Sequence, residues 1–249
     1  MLFCLPVVCW SQSIKVVTIT EDFASITQSI GGDLVQVESL IKGSRNLHHI
    51  NPKPSMVMKV KDADLLIRLG MQQDSWIDSL IQVAKNNQIF PGQKGYLDAS
   101  VNIQKLEVPN EKIDGRVGDV HKKGNPHYWL NPNNGKIIAM KIRDHLTQIA
   151  PQHKITFNEN YLLFCEKIDK KMVSWKKNLE PLKQIDFVTY HKVWSYFFDA
   201  FSLTTLGELE RLPGIPPTTK HLNQLKESIK DKDIVVISAI YYPEYKSKR

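Results

Sequence analysis

Residues 155–179 read ITFNENYLLFCEKIDKKMVSWKKNL, and Tyr161, Phe164, Ile168, Met172, Trp175 and Leu179 recur along them at steps of three or four. That spacing marks one face of an α-helix, and neither glycine nor proline interrupts it. At about 1.5 Å per residue the element is some 35 to 40 Å long. Such a length spans a domain rather than fitting within one, so the stretch predicts a rigid helical strut between two lobes.

On both sides of this strut, short apolar strands alternate with helices. Upstream, IKVVTIT (14–20) leads to a helical stretch from Phe23 to Ile30, a Gly31-Gly32 stop and a second strand, VQVESLI (35–41). The segment ADLLIRLG (63–70) repeats the rhythm, followed by a helix from Trp76 to Ala84. From Asn133 onward, Ile137, Ile138, Met140, Ile142, Leu146 and Ile149 form a broad helical face that closes the first lobe. Downstream, DFVTY (186–190), LTTLGEL (203–209) and DIVVISAIYY (233–242) are strands, separated by helices at 193–201 and 220–229. Strands alternating with helices imply parallel sheets. The expected fold is therefore α/β, with two βα lobes joined by one long helix. The expected division is 12–152 for the first lobe, 153–181 for the linking helix and 182–249 for the second lobe. Its third strand lies near the end of the chain, so the second lobe is expected to be truncated.

The first ten residues, MLFCLPVVCW, are mostly apolar, and Cys9 and Ser11 are small enough for the positions before a signal-peptidase cut. Residues 1–11 therefore read as a secretory signal, though one lacking a charged start, since no lysine or arginine precedes Lys15. Pro6 and Val8 fit a lipoprotein site at Cys9 poorly. Removal of the signal leaves Cys165 as the one cysteine, with no partner for an internal disulfide; its place in the apolar stripe predicts a small buried hydrophobe. Beyond residue 10 no apolar run approaches the roughly 18 residues needed to cross a bilayer. The 249 residues carry 33 Lys and Arg against 26 Asp and Glu, a net charge of +7 spread along the chain. That distribution gives no footprint for nucleic acid.

Three of the eight histidines stand apart from the rest. His48 follows the second strand, His127 lies between prolines in GNPHYWLNP, and His191 directly follows FVTY. Loops at the carboxyl ends of parallel strands are where open α/β sheets place ligand groups. Neutral imidazoles converging from such loops suit a borderline-soft divalent metal. Each histidine taken singly reads more readily as a surface or hydrogen-bonded loop residue than as a ligand; the motifs around them decide.

Four segments, SRNLHHINPKPSMVMKVKDADLLIRLG (44–70), GDVHKKGNPHYWLNP (118–132), TYHKVWSYF (189–197) and LERLPGIPP (209–217), in this order and spacing, resemble the zinc/manganese solute-binding proteins of bacterial metal ABC importers. The resemblance runs from Ile14 to Pro243. It implies two βα lobes joined by a rigid helix, with metal in the cleft between them. It also implies His48, His127 and His191 as metal ligands and Zn2+, with Mn2+ as the alternative, as the transported ion. The implied partners are an ABC permease subunit and its cytoplasmic ATPase, and the implied setting is a monomer in the periplasm or otherwise outside the cytoplasm. Asn46 and Leu47 replace the Asp-Pro pair that usually precedes the first ligand. His49 and His121 are lesser candidates, and His145, His153 and His221 read as surface residues. Glu210, which precedes the PGIPP turn, can serve as an acceptor orienting a ring N–H or stand in for the acidic fourth ligand that the family takes from further along the second lobe. Tyr128, Trp129, Tyr190 and Trp194 are expected to pack around the site.

Two other readings compete. A zinc hydrolase also uses three histidines and an open position, but the chain lacks HExxH, GxSxG, a P-loop and the dinucleotide-binding glycines. A cell-surface adhesin with a metal site is the other alternative.

Overall fold

The computed structural model of the chain describes residues 13–43, 47, 50–109, 122–210 and 216–237. The signal expected over 1–11, together with His48, His49 and His121, lies outside them.

Strand β1 (Ile14–Thr18) leads into helix α1 (Glu21–Gly31), then β2 (Val35–Ser39), α2 (Pro54–Lys61), β3 (Leu65–Arg68), α3 (Ile77–Ala84) and β4 (Tyr96–Asp98). These strands form one parallel sheet in the order β2-β1-β3-β4. In the central strands β1 and β3 the β-branched and leucine side chains are buried on both faces, as a sheet flanked by crossover helices requires. Helix α1 ends at Gly32, whose φ of +55° leaves the helical region, and its last residue runs against the next strand. A Cβ on Gly31 would sit 2.3 Å from Val35 Cγ1, so only glycine fits at this crossing. Helix α4 (Pro132–Ile149) covers the sheet. Its start is set by Pro132 in the first turn and by the Asn131 side chain, which accepts from the Asn133 N–H.

Helix α5 (Lys154–Leu179) has 26 residues and is the strut. Phe157, Tyr161 and Phe164 pack on the core of the first lobe, whereas Ile168, Met172, Trp175 and Leu179 pack on that of the second. One apolar stripe thus serves two cores, changing lobes between Phe164 and Ile168. The second lobe continues through β5 (Asp186–Thr189), α6 (Ser195–Phe201), β6 (Thr205–Glu208), α7 (Thr219–Ser228) and β7 (Ile234–Ile237). Its strands are parallel in the order β6-β5-β7. Val235 and Val236 on the β7 edge are exposed, and residues 238–242 of the expected strand lie outside the described ones. Among the described residues no helix is long and apolar enough to cross a membrane.

One strand adds to those expected, and two expectations are corrected. Strand β4 was not anticipated: three residues carry too little pattern, and the strand exists because β3 lends it a hydrogen-bonding edge. Met140 is 37% exposed, since the buried face of α4 runs instead through Ile138, Ala139, Ile142 and Leu146. Cys165 is half-buried rather than buried; it lies beside the stripe and interacts with the Tyr161 hydroxyl.

The carboxyl ends of the strands are held in line. Thr18 stands opposite Ser39 and Ile67, and Thr189 opposite Glu208 and Ile237. At the end of β3 the buried Arg68 guanidinium donates to Asp74 at 2.9 Å, to Asp78 at 2.7 Å and to the Tyr96 hydroxyl at 2.9 Å. Burial works against this charge, but the Asp74 carboxylate and the Tyr96 hydroxyl more than offset it and raise the Arg68 pKa above its ordinary value. Asp74 in turn accepts the Leu69 N–H at 2.6 Å. The turn after β3 has φ of +76° at Gly70, +50° at Met71 and +65° at Gln72, and this network pins it.

Candidate metal site

The first described histidine of the site is placed by its neighbours on both sides. Asn125 Oδ1 accepts from the His127 backbone N–H at 3.0 Å and faces His127 Nδ1 at 2.9 Å. Next in the chain, the Tyr128 hydroxyl donates to the Leu69 carbonyl at 2.7 Å, tying this segment to the end of β3. Burial pushes the Tyr128 phenol well above its ordinary pKa, so it stays a donor. The indole of Trp129 lies 5.5 Å from the His127 ring, centroid to centroid. His127 is 5% exposed.

The second comes from the other lobe. His191 lies two residues beyond β5 and is 3% exposed. Its Nδ1 stands 2.8 Å from Glu210 Oε2. Glu210 is itself buried, and the strand-end ladder carries it there: the Leu209 N–H donates to the Thr189 carbonyl and the Glu210 N–H to that of Tyr190, both at 2.8 Å.

In both histidines Nδ1 faces an oxygen. A carboxylate or amide oxygen only accepts, so the tautomer these partners assign carries its proton on Nδ1 and its lone pair on Nε2. The two rings lie edge to face at 5.8 Å, inclined by 82°. Two imidazoles sharing a tetrahedral ion, with Zn–N near 2.0–2.1 Å, have centroids about 5 Å apart, so the pair is within an ångström of the spacing that one metal needs. Neutral nitrogen donors held by carboxylate and amide partners fit a transition-metal cation.

The structure therefore brings together His127, His191 and Glu210 from two lobes. Among the described residues, no group of three or more His, Cys, Asp or Glu has the arrangement that holds a metal ion, and His48 lies outside them. Leu47 and Ile50, which flank His48 and His49, pack against the first core. Trp129 lies against the His127 ring as expected, whereas Tyr128 belongs to the first core and Trp194 turns to the second core against Phe197. His145 and His221 are half-buried and bond to the carbonyls of Lys94 and Glu208, so they are structural rather than merely superficial. Asn125 escaped the reading of the sequence. Its signal was its place two residues before His127, where a short amide side chain folds back on the backbone.

The family described as "ZnuA: Zinc-uptake complex component A periplasmic" matches residues 16–246. The zinc-binding lipoprotein AdcA of Streptococcus pneumoniae is 26% identical over 235 residues, covering 94% of this chain and 46% of AdcA. The manganese ABC transporter substrate-binding lipoprotein PsaA of Streptococcus anginosus is 30% identical over 200 residues, 77% of this chain and 60% of PsaA. This chain thus spans about half to three-fifths of the length of these relatives. Among solved structures, that of a zinc-bound AdcAII variant from Streptococcus pneumoniae superposes with a TM-score of 0.75 at 25% identity, over 91% of this chain and 81% of that one. The two lobes, the parallel sheets and the long helix are therefore a shared fold, and with residues 16–246 matched the chain belongs to the ZnuA family of periplasmic zinc-uptake components.

Proposed function

We propose that this chain is the extracytoplasmic solute-binding component of a metal ABC importer, capturing a divalent transition metal and handing it to a permease subunit served by a cytoplasmic ATPase. His48, His127 and His191 are the proposed ligands, with zinc favoured over manganese as cargo. The observation that carries this reading is the pair of buried imidazoles, one from each lobe, each with Nδ1 against an oxygen acceptor. Three nitrogen donors suit zinc, whereas manganese prefers more oxygen, and the affinity order of divalent ions also puts zinc above manganese. Glu210 serves as the orienting acceptor for His191 rather than as a ligand. The relatives support the class of cargo: AdcA is named for zinc and PsaA for manganese.

The residue division proposed is that expected above, with 1–11 as an export signal, and the working form is a monomer. Because ligands come from both lobes, metal draws the lobes together, and the long helix confines the motion to a small rocking. Competitive titration of metal-free protein tests the reading: zinc displaces manganese under matched conditions, and a clear manganese preference contradicts it.

A further inference from the structure

The seam between the lobes is hydrogen-bonded through the same side chain that aims His127. Asn125 is buried, and while its Oδ1 holds His127, its Nδ2 donates to the Lys192 carbonyl at 2.7 Å, to Glu107 Oε2 at 3.1 Å and to Ser195 Oγ at 3.2 Å. Glu107 belongs to the first lobe, and its other carboxylate oxygen accepts from the Ser195 hydroxyl at 2.9 Å. Alongside, the buried Tyr196 hydroxyl accepts the Leu106 N–H and donates to the Asn125 carbonyl, both at 3.0 Å. Lys192 is the residue after His191. One amide thus reaches from a candidate ligand in the first lobe to the backbone beside a candidate ligand in the second.

Glu107 is held in an unusual state to do this. Its φ is +54°, in the left-handed region that non-glycine residues rarely adopt. Such a conformation persists where surrounding bonds over-determine it, and here the carboxylate is tied to Asn125 and Ser195, with Lys192 Nζ 3.8 Å from Oε1.

We infer that Glu107 and Asn125, closing on Lys192, Ser195 and Tyr196, form an interlobe latch that sets the rate at which bound metal leaves. The inference rests on the function proposed above. Parting His127 from His191 requires the lobes to separate, and that breaks the bonds of Asn125 to Lys192 and Ser195 and of Tyr196 to Asn125. Until they break, the two imidazoles stay together. The latch makes no use of the metal, so it assembles the pair before capture and slows release afterwards. Asn125 is a positioning residue, acting through His127, and Glu107 acts one step further out.

Stopped-flow transfer of zinc from the loaded protein to excess chelator, alongside the rate of zinc uptake and the melting temperature, tests this. Glu107→Ala and Ser195→Ala each remove a member of the latch while leaving the bond between Asn125 and His127 in place. Each is expected to speed release about tenfold, the equivalent of one or two hydrogen bonds, with uptake changed less than twofold. The double variant is expected to release no faster than the product of the single effects, because the two residues share a bond. A purely structural role would lower the melting temperature and leave the release rate of the folded fraction at the parent value. Parental release from both folded single variants overturns the latch. A parent chain that takes up no zinc overturns the function and the latch together.

Discussion

His191 Nδ1 and Glu210 Oε2 stand 2.8 Å apart, both side chains buried, in a bond that joins the loop after β5 to the loop after β6. A carboxylate accepting from a ligating imidazole fixes the ring and raises its basicity. Glu210→Gln, which keeps the shape and removes the charge, is therefore expected to weaken zinc binding by about 10- to 100-fold in titration against a colorimetric chelator. Parental affinity would mean that the bond only braces the two loops.

The Arg68 network supports the floor of the first lobe, and its two carboxylates differ in worth. Asp74 is wholly buried, whereas the Asp78 side chain is 58% exposed. Asp74→Ala leaves a buried guanidinium without its main partner and is expected to cost about 3–5 kcal/mol. Asp78→Ala is expected to cost less than about 1 kcal/mol. Urea unfolding of the two variants checks the order, and equal losses would contradict it.

Gln73 is 7% exposed, and among the described residues neither its amide oxygen nor its amide nitrogen has a hydrogen-bond partner. Burying an unsatisfied polar group costs about 1–3 kcal/mol. Gln73→Leu is accordingly expected to raise the unfolding free energy by about 1–2 kcal/mol, again by urea titration. A fall in stability would show that the amide is satisfied by ordered water.

Much of this architecture can be read in the sequence because its signals are long or repeated. The 26-residue helix announces itself by an unbroken periodic stripe, and its two-core role follows from its length. Strand β4 cannot be read in this way, because three residues have no period and owe their conformation to partners 30 residues away in β3. Within the site, His127 and His191 stand at strand ends or in proline-flanked loops, where ligands gather. Asn125 shows its local role toward His127 by position alone, but its reach to Lys192 and the part of Glu107 depend on the docking of one lobe against the other, which no local pattern encodes. Met140 and Cys165 were placed on apolar faces by spacing alone, and the direction in which each helix faces its neighbours moved both outward.

Zinc titration of the metal-free chain followed by tryptophan fluorescence, repeated on His48→Ala, His127→Ala and His191→Ala, tests the metal site most directly, because the Trp129 indole lies 5.5 Å from the His127 ring. The account predicts saturation at one zinc per chain with a change in emission, and an affinity lowered at least about 100-fold in each variant, as loss of one of three nitrogen donors requires. Variants that bind zinc as tightly as the parent would contradict it.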